Sequence, residues 1–281
     1  MSTATTLPAI AILGTGSMGS AILSGLLQPG VTVEGGVRVT NRTPEKAQAL
    51  ADNDGVTSYA LQQTPDANVR AVDGAKVVLV GVKPAMVPDL LREIADALEP
   101  GTVVVSVAAG VTVATFEQIL PEGVAVIRAM PNTPSLVGKG VTGLAAGTRS
   151  SAEDLALAHA VFATVGEVVE VPEDQIDALS TISGSGPAYV FYLIEEFTRA
   201  ALDKGFTPAQ AAVLVNGTFA GAAELLVRSG KTPEQLRIQV TSPKGTTEKA
   251  IEVLQQGGLH GLFTRATDAA LARARELAAG A

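Results

Sequence analysis

Residues 9–19 of this 281-residue chain are AIAILGTGSMG. A β-forming apolar run leads into Gly14, Gly16 and Gly19, spaced G-x-G-x-x-G, and a helical pattern follows over 18–27. In such a unit the first glycine permits a tight turn, the second lets backbone amides approach a pyrophosphate, and the third lets helix and strand pack closely. The stretch therefore predicts the opening unit of a dinucleotide-binding domain. The residues expected at the pyrophosphate are those of the turn: Gly14, Thr15, Gly16, Ser17, Met18 and Gly19.

Outward from this turn, short β-branched runs alternate with helical stretches up to about residue 171. The stretches 86–98 and 152–165 carry apolar residues three and four apart, as amphipathic helices do. Strand, helix, strand in repeated order predicts an α/β fold with a mostly parallel sheet covered on both faces. We expect a Rossmann-type domain at 1–171. The predicted strands are 9–13, 37–40, 56–60, 76–82, 102–107, 124–129, 140–146 and 167–171.

From residue 172 onward the sequence predicts helices only. Thr207-Pro208 and Thr232-Pro233 each pair an N-cap threonine with a first-turn proline, and a glutamine three residues on completes a capping box. The segment 187–204 is apolar on most of its circumference, so something must bury it. We expect a second copy of the chain to cover it, which makes 172–281 an all-helical dimerisation and substrate-binding domain. The alternative is packing against the other half of the same chain.

Composition excludes several classes of function. The chain has no cysteine and only two histidines, which excludes disulfides and thiolate metal sites and predicts that no metal is bound. A net charge of −8 disfavours nucleic acid and anionic membranes as partners. No apolar run is expected to reach the length of a membrane helix, and the N-terminus lacks a signal-peptide pattern. A cytoplasmic location is therefore the expectation.

The second predicted strand, in VRVTNRTPEK at residues 37–46, ends in an amide and a guanidinium where many NAD-binding units have an acidic residue. Asn41, Arg42, Thr43 and Lys46 could bind a 2′-phosphate through charge-assisted hydrogen bonds, each worth about 1.5–3 kcal/mol. This predicts NADPH as the cofactor, with NADH weaker. The alternative is that Arg42 and Lys46 only solvate a loop.

Six short blocks stand out along the chain: GTGSMG (14–19), VGVKPAM (80–86), SVAAGVT (106–112), RAMPNTP (128–134), SGSGPAY (183–189) and VTSPKGTT (240–247). In this order they resemble the pyrroline-5-carboxylate reductase family over the whole length of the chain. The resemblance implies NADPH-dependent reduction of 1-pyrroline-5-carboxylate to L-proline, with a homodimer formed through the C-terminal helices and a larger ring of dimers as a further alternative.

The resemblance also implies cofactor contacts beyond the glycine turn. Asn68 falls at an adenosine-side position, and Lys83 is expected to contribute through its backbone, not as a base. The loop 128–134 carries two prolines and is therefore stiff, so it either positions polar groups near the nicotinamide or is a structural turn. The remaining contacts, beside the pyrophosphate and ribose and then at the nicotinamide, are Gly81, Val82, Lys83, Pro84, Val107, Ala108 and Ala109.

The block TSPKGTT predicts a second anion site, because a turn at Pro243 and Gly245 precedes a helix whose first N–H groups are free. By resemblance this start binds the substrate carboxylate, Glu173 faces the ring nitrogen, and Ser180 and Thr247 lie at the reacting centre. Where the family usually has glycine, this chain has Lys244, which is either strained at positive φ or attracts the substrate. The substrate-binding residues implied are Glu173, Ser242, Gly245, Thr246 and Thr247.

Two other functions share some of these features. A β-hydroxyacid dehydrogenase would have a similar glycine turn, but it needs a lysine acid on a helix, for which Lys204 and Lys249 are the only candidates. An NADPH-sensing binding module would not need the second anion site. Of the three functions, we expect that of the pyrroline-5-carboxylate reductase family.

Overall fold

The computed structural model describes residues 4–279, with side chains as far as residue 277. The ends of the two predicted domains, 1–3 and 280–281, lie outside the described residues. Packing divides the chain into two compact units. The first is the chain through Ser185 together with the stretch that begins at Ala270, and the second is Gly186–Ala269. The predicted boundary between residues 171 and 172 marks the end of the strands, whereas packing changes further along the chain.

The first unit is built on an eight-stranded sheet in the order β10-β9-β8-β7-β6-β2-β4-β5. All neighbouring strands are parallel except β8 and β9. The eight predicted strands are confirmed, and a separate pair, β1 and β3, escaped prediction because each has only three residues. The strands are β1 Thr5–Leu7, β2 Ile10–Leu13, β3 Val31–Val33, β4 Val37–Asn41, β5 Val56–Ala60, β6 Val77–Val80, β7 Val103–Ser106, β8 Ala125–Met130, β9 Gly140–Ala146 and β10 Gly166–Glu170.

Helices cover both faces of this sheet, and each face has its own core. Ile10 and Ile12 of β2 face one core, and Ala11 and Leu13 face the other, as alternation along a strand requires. Phe162 is fully buried in the first core and Phe116 in the second; a large apolar side chain contributes about 1.5–3 kcal/mol by such burial. The helices are α1 Ser17–Leu26, α2 Pro44–Ala51, α3 Ala67–Val72, α4 Val87–Ile94, α5 Val113–Glu117 and α6 Ala152–Ala163.

The strand order reverses direction at β2. From β2 the chain goes outward to β4 and β5, then returns to β6 on the other side of β2 and continues to β7 and β8. The connections after β2 and β6 therefore leave in opposite directions and open a crevice at the carboxyl ends of these strands. Ligands of doubly wound sheets bind at this switch point.

After the sheet the chain is helical throughout its described part. Both predicted capping boxes are present, at Thr207 with Gln210 and at Thr232 with Gln235. Gly205 (φ 90°) and Gly230 (φ 63°) follow the ends of two helices in the left-handed conformation that favours glycine. The helices are α7 Ile176–Leu179, followed by a π-helical turn at Ser180–Gly184, then α8 Gly186–Asp203, α9 Pro208–Ser229, α10 Pro233–Gln239, α11 Thr246–Gln256 and α12 Leu259–Ala279.

Helices α8 and α9 expose large apolar side chains. Phe191, Tyr192 and Phe197 of α8 are 62%, 60% and 51% exposed. By length and composition alone α9 could cross a membrane, since an 18-residue window has a mean hydropathy of 1.3 and only 11% of it is buried. The expectation that no apolar stretch reaches this length is therefore wrong; polar residues such as Asn216 interrupt the run without lowering its mean enough. Such exposed faces are also what an interface between two chains requires.

Candidate functional site

The glycine turn between β2 and α1 has the geometry that the sequence predicts. Gly14 has φ 89°, and a Cβ there would lie 3.1 Å from the carbonyl oxygen of Gly81. A Cβ on Gly19 would lie 2.8 Å from the oxygen of Gly14, so only glycine lets helix and strand approach this closely. A Cβ on Gly16 would meet no atom within 4 Å, which leaves room for a ligand beside the backbone.

The start of α1 offers backbone donors. Gly16 is the N-cap and no side chain caps the helix. The N–H groups of Ser17, Met18 and Gly19 are those that an α-helix leaves without an internal partner. The side chain of Ser17 is exposed and that of Met18 packs on the core, so these residues can serve a pyrophosphate through their backbone.

A cleft of about 720 Å³ opens at the switch point. Most of the predicted cofactor residues line it; Ser17, Met18, Gly19, Pro84, Val107, Ala108 and Ala109 do not. Its lining is Gly14, Thr15, Gly16, Thr40, Asn41, Arg42, Thr43, Lys46, Leu61, Pro65, Asn68, Gly81, Val82, Lys83, Ala85, Met86, Asp89, Leu90 and Glu93.

One corner of the cleft carries two cations, Arg42 and Lys46, beside Asn41 and Thr43; we call it the phosphate corner. Arg42 and Lys46 are exposed, and neither forms an ion pair within residues 4–279. Asn41 is only 5% exposed; its side-chain oxygen accepts from the hydroxyl of Thr15, while its Nδ2 atom is buried without a partner among the described residues. Spare positive charge and a spare donor are what a phosphate requires, so the cleft fits a phosphorylated dinucleotide.

A carboxylate also lies next to this corner. Glu45 is in the first turn of α2, of which Thr43 is the N-cap. The backbone N–H of Glu45 and the hydroxyl of Thr43 donate to this carboxylate and lower its pKa below the ordinary value. Glu45 is therefore ionised at neutral pH and repels a 2′-phosphate. The attraction of Arg42 and Lys46 for the phosphate must exceed this repulsion.

The end of β7 lies beside the end of β6. The backbone N–H of Val107 donates to Val80 (3.1 Å), and a Cβ on Gly81 would lie 3.5 Å from the side chain of Val107. The side chain of Ala108 belongs to the core, whereas Ala109 is exposed. The structure thus continues the edge of the cleft past Gly81 to Val107, where the nicotinamide is expected.

The predicted ring-nitrogen contact, Glu173, has another partner. Its Oε1 atom accepts from the backbone N–H of Val113 at 2.6 Å and lies 3.5 Å from the buried guanidinium of Arg128. Arg128 also pairs with Asp177 at 2.6 Å. One oxygen of Glu173 is therefore engaged in a cluster that joins β8, α5 and α7, and only the other remains for a ligand.

The stiff loop after β8 has a clear structural role. The side-chain amide of Asn132 donates to the carbonyl of Ser183 at 3.0 Å and accepts from the N–H of Val141 at 2.8 Å. This fixes the π-helical turn that begins at Ser180. The hydroxyl of Ser180 donates to the carbonyl of Asp177 at 2.7 Å, so its proton is committed and its oxygen can only accept from a ligand.

The turn before α11 carries the predicted second anion site. Gly245 is the N-cap, and no side chain caps the helix. A Cβ on Gly245 would lie 2.9 Å from the carbonyl oxygen of Ser242, so the turn needs glycine there. Thr246 and Thr247 are exposed at the helix start, as is Ser242 before it. Lys244 has φ 61°, which confirms that this position takes the left-handed conformation.

Three residues of these sites were not predicted from the sequence. Asp177 and Glu93 lie on helices with ordinary charged faces, and nothing in their spacing distinguishes them from solvated residues. Arg128 could have been found, because it is a charge inside an otherwise apolar strand, VAVIRAM, and must have a buried partner.

A doubly wound sheet with a glycine turn at its switch point and cations at the end of the next strand defines the class of Rossmann-type NADP-dependent oxidoreductases. Accordingly, residues 9–110 match the family model described as NADP oxidoreductase, coenzyme F420-dependent, and residues 173–277 match that described as pyrroline-5-carboxylate reductase dimerisation. The pyrroline-5-carboxylate reductase of Corynebacterium melassecola is 40% identical over 271 residues, which cover 95% of this chain and 98% of the relative. The chain belongs to the pyrroline-5-carboxylate reductase family.

Solved structures agree with this membership. A pyrroline-5-carboxylate reductase from Coxiella burnetii superposes with a TM-score of 0.88 at 38% identity, covering 95% of this chain and 97% of that one. The Plasmodium falciparum pyrroline carboxylate reductase with NADP bound shares the fold, with a TM-score of 0.77 at 22% identity over 96% and 98% of the two chains. The matched dimerisation model makes the helical half an oligomerisation domain.

Proposed function

We propose that this chain catalyses the NADPH-dependent reduction of 1-pyrroline-5-carboxylate to L-proline, the last step of proline biosynthesis, with NADH as a weaker reductant. The observation that carries the proposal is the uncapped start of α11, behind a turn fixed by Gly245. It gives a carboxylate site to a chain that also has a cleft for a phosphorylated dinucleotide. A module that only senses NADPH has no use for it.

The substrate is a small imino acid with one carboxylate and a ring C=N bond. The N–H groups of Thr246 and Thr247, with the hydroxyls of Thr247 and Ser242, bind the carboxylate and so fix the position of the ring. NADPH, when bound, supplies the hydride. Holding the reacting atoms in near-attack geometry can contribute about 7–11 kcal/mol in favourable cases.

A ring imine needs little acid catalysis, because its nitrogen is basic enough to be protonated before reduction. The oxygen of Ser180 suits this state, since its hydroxyl donates to the backbone carbonyl of Asp177 and its oxygen can therefore only accept a hydrogen bond from the ring N–H. The free oxygen of Glu173 is proposed to face the same nitrogen. Neither residue has to release a proton, which suits a chain with only two histidines.

The cofactor contacts are proposed on the same basis. The glycine turn and the start of α1 hold the pyrophosphate, the phosphate corner holds the 2′-phosphate, and Gly81 to Pro84 lie along the ribose. Val107 to Ala109, at the adjoining end of β7, lie along the nicotinamide. Lys83 is exposed and precedes a proline, so it acts through its backbone.

We infer that the enzyme is a cytoplasmic homodimer formed through the helical half, with a larger ring of dimers as the next level of assembly. The exposed apolar faces of α8 and α9 support this, since burial in a partner removes them from water. The net charge of −8 argues against nucleic acid and membrane partners.

The proposed function is tested by following NADPH oxidation with 1-pyrroline-5-carboxylate and, separately, with a panel of β-hydroxy acids and NADP⁺. We expect turnover with the imino acid only, and slower turnover when NADH replaces NADPH. Turnover of a hydroxy acid would favour a β-hydroxyacid dehydrogenase. Tight NADPH binding without turnover of any substrate would favour a sensing module.

A further inference from the structure

The lining of the cleft includes an amide, that of Asn68, which the carboxylate of Glu93 holds in one orientation. Asn68 lies in the first turn of α3 and is 6% exposed. Its Nδ2 atom lies 3.2 Å and 3.1 Å from the two carboxylate oxygens of Glu93, on α4. A carboxylate can only accept hydrogen bonds, so the NH₂ end of Asn68 must face Glu93.

The other end of the amide is therefore the end offered to a ligand. The Oδ1 atom of Asn68 receives no hydrogen bond from any described residue, and it is not among the buried atoms, so solvent reaches it. Asn68 and Glu93 both line the cleft. A carbonyl oxygen presented in this way accepts a hydrogen bond and cannot donate one.

The surroundings of this amide suit the adenosine half of a dinucleotide. The neighbouring lining is apolar, with Leu61, Pro65 and Leu90, as a flat base requires. The phosphate corner lies at the end of β4, and the backbone N–H of Leu61, the residue after β5, donates to the carbonyl of Asn41 at 2.8 Å. Adenosine carries two kinds of donor that could reach Oδ1, the exocyclic amine of adenine and the 3′-hydroxyl of its ribose.

We propose that Glu93 is a positioning residue for cofactor binding: it fixes the amide of Asn68 so that the cleft selects a hydrogen-bond donor on the adenosine half. The inference rests on the proposed function, because it requires that the cleft bind NADPH. Without Glu93 the amide is free to turn over and to present its NH₂ group. The cleft then accepts donor and acceptor equally, and its selectivity is lost.

The test measures dissociation constants by fluorescence titration, without substrate, for three reduced dinucleotides. They are NADPH, its hypoxanthine analogue, in which a carbonyl replaces the adenine amine, and its 3′-O-methyl analogue, in which an ether oxygen that can only accept replaces the hydroxyl. For the wild-type protein we expect one analogue to bind about fivefold more weakly than NADPH, the size of one ordinary hydrogen bond. The analogue that binds more weakly shows which group of NADPH donates to Oδ1 of Asn68.

Two variants of α4 form a matched pair. Glu93→Ala removes the carboxylate that holds Asn68, and Asp89→Ala removes the carboxylate one turn earlier, which also lines the cleft but pairs with Arg92. Both side chains are exposed and both changes remove one negative charge. We define the analogue penalty as the dissociation constant of the weakened analogue divided by that of NADPH. We expect this penalty to fall below about twofold in Glu93→Ala and to stay near fivefold in Asp89→Ala. Asn68→Ala should abolish it as well.

A penalty that persists in Glu93→Ala would overturn the inference, as would wild-type protein that binds all three dinucleotides equally. A penalty that persists in Asn68→Ala would assign the acceptor to Glu93 itself and would also overturn it. Failure of NADPH to bind wild-type protein would contradict the proposed function instead, so the two failures are distinguishable.

Discussion

The backbone N–H of Lys244 donates to the carboxylate of Glu248 at 2.8 Å and so helps to hold a non-glycine residue at φ 61°. The contact spans the turn that precedes α11, and Glu248 lies in the first turn of that helix. A residue with a Cβ is strained in this conformation, and the bond from Glu248 offsets part of that strain. The turn is therefore fixed in shape before any ligand arrives.

Lys244→Gly should stabilise the protein. Relief of the left-handed strain contributes about 1–2 kcal/mol, and the extra entropy of glycine in the unfolded chain removes about 0.4–1 kcal/mol of it. We expect a net gain of about 0.5–1 kcal/mol in the free energy of unfolding, measured by urea denaturation. Lys244→Ala keeps the strain and removes the ammonium, so it should give no gain. Equal stabilisation by both variants would show that charge, and not backbone strain, is the cause.

Arg42→Ala should weaken the binding of NADPH much more than the binding of NADH. Arg42 lies in the phosphate corner without an ion-pair partner in the described chain, so its charge is available to the 2′-phosphate. Loss of a charge-assisted bond of about 1.5–3 kcal/mol should raise the KM for NADPH at least tenfold. Lys83→Ala, a cation lost elsewhere in the same cleft, should leave the ratio of the two KM values unchanged. An equal loss for both cofactors in Arg42→Ala would contradict the assignment of this corner.

Thr247→Ala should raise the KM for 1-pyrroline-5-carboxylate about tenfold, since the hydroxyl is proposed to bind the substrate carboxylate. The KM for NADPH should not change. Thr247→Ser keeps the hydroxyl and should restore most of the substrate affinity. Steady-state kinetics with each substrate varied in turn checks this, and unchanged imino acid kinetics in the alanine variant would remove Thr247 from the site.

Asp177→Asn should destabilise the protein through Arg128. The Arg128 side chain is 7% exposed, and after the change its remaining carboxylate partner is Glu173 at 3.5 Å. Loss of one partner from a buried pair costs about 3–5 kcal/mol; because Asp177 is 30% exposed, we expect about 2–3 kcal/mol. Asp89→Asn breaks an exposed pair with Arg92 and should change stability by less than about 0.5 kcal/mol. Similar unfolding midpoints for the two variants would contradict this view of the cluster.

Much of the fold could be predicted because its signals are local. Runs of β-branched residues predict the eight strands of the sheet. Short motifs predict the capping boxes at Thr207 and Thr232. The three-residue strands β1 and β3 carry too few residues for any periodicity. The apolar length of α9 was missed because Asn216 breaks the run while its small neighbours keep the mean hydropathy high.

The site was predictable where backbone geometry requires a residue type. Gly14, Gly19 and Gly245 are each at a position where a Cβ would be strained or would collide, and each lies in a motif. The contacts of Glu173 and Asn68 were not predictable, because they join side chains from distant elements. Glu173 meets Arg128 across 45 residues, and Asn68 meets Glu93 across 25. Such partners depend on how α3 packs on α4 and on how β8 packs on the turn before α7, which no local pattern records.

The most direct test of hydride transfer follows deuterium from NADPH that carries two deuterium atoms at C4 of its nicotinamide. The enzyme is given 1-pyrroline-5-carboxylate in ordinary water, and the product is examined by NMR and mass spectrometry. We expect L-proline with a single deuterium at C5, the carbon of the former C=N bond. Proline without deuterium at C5, or no proline at all, would contradict hydride transfer from NADPH to this carbon.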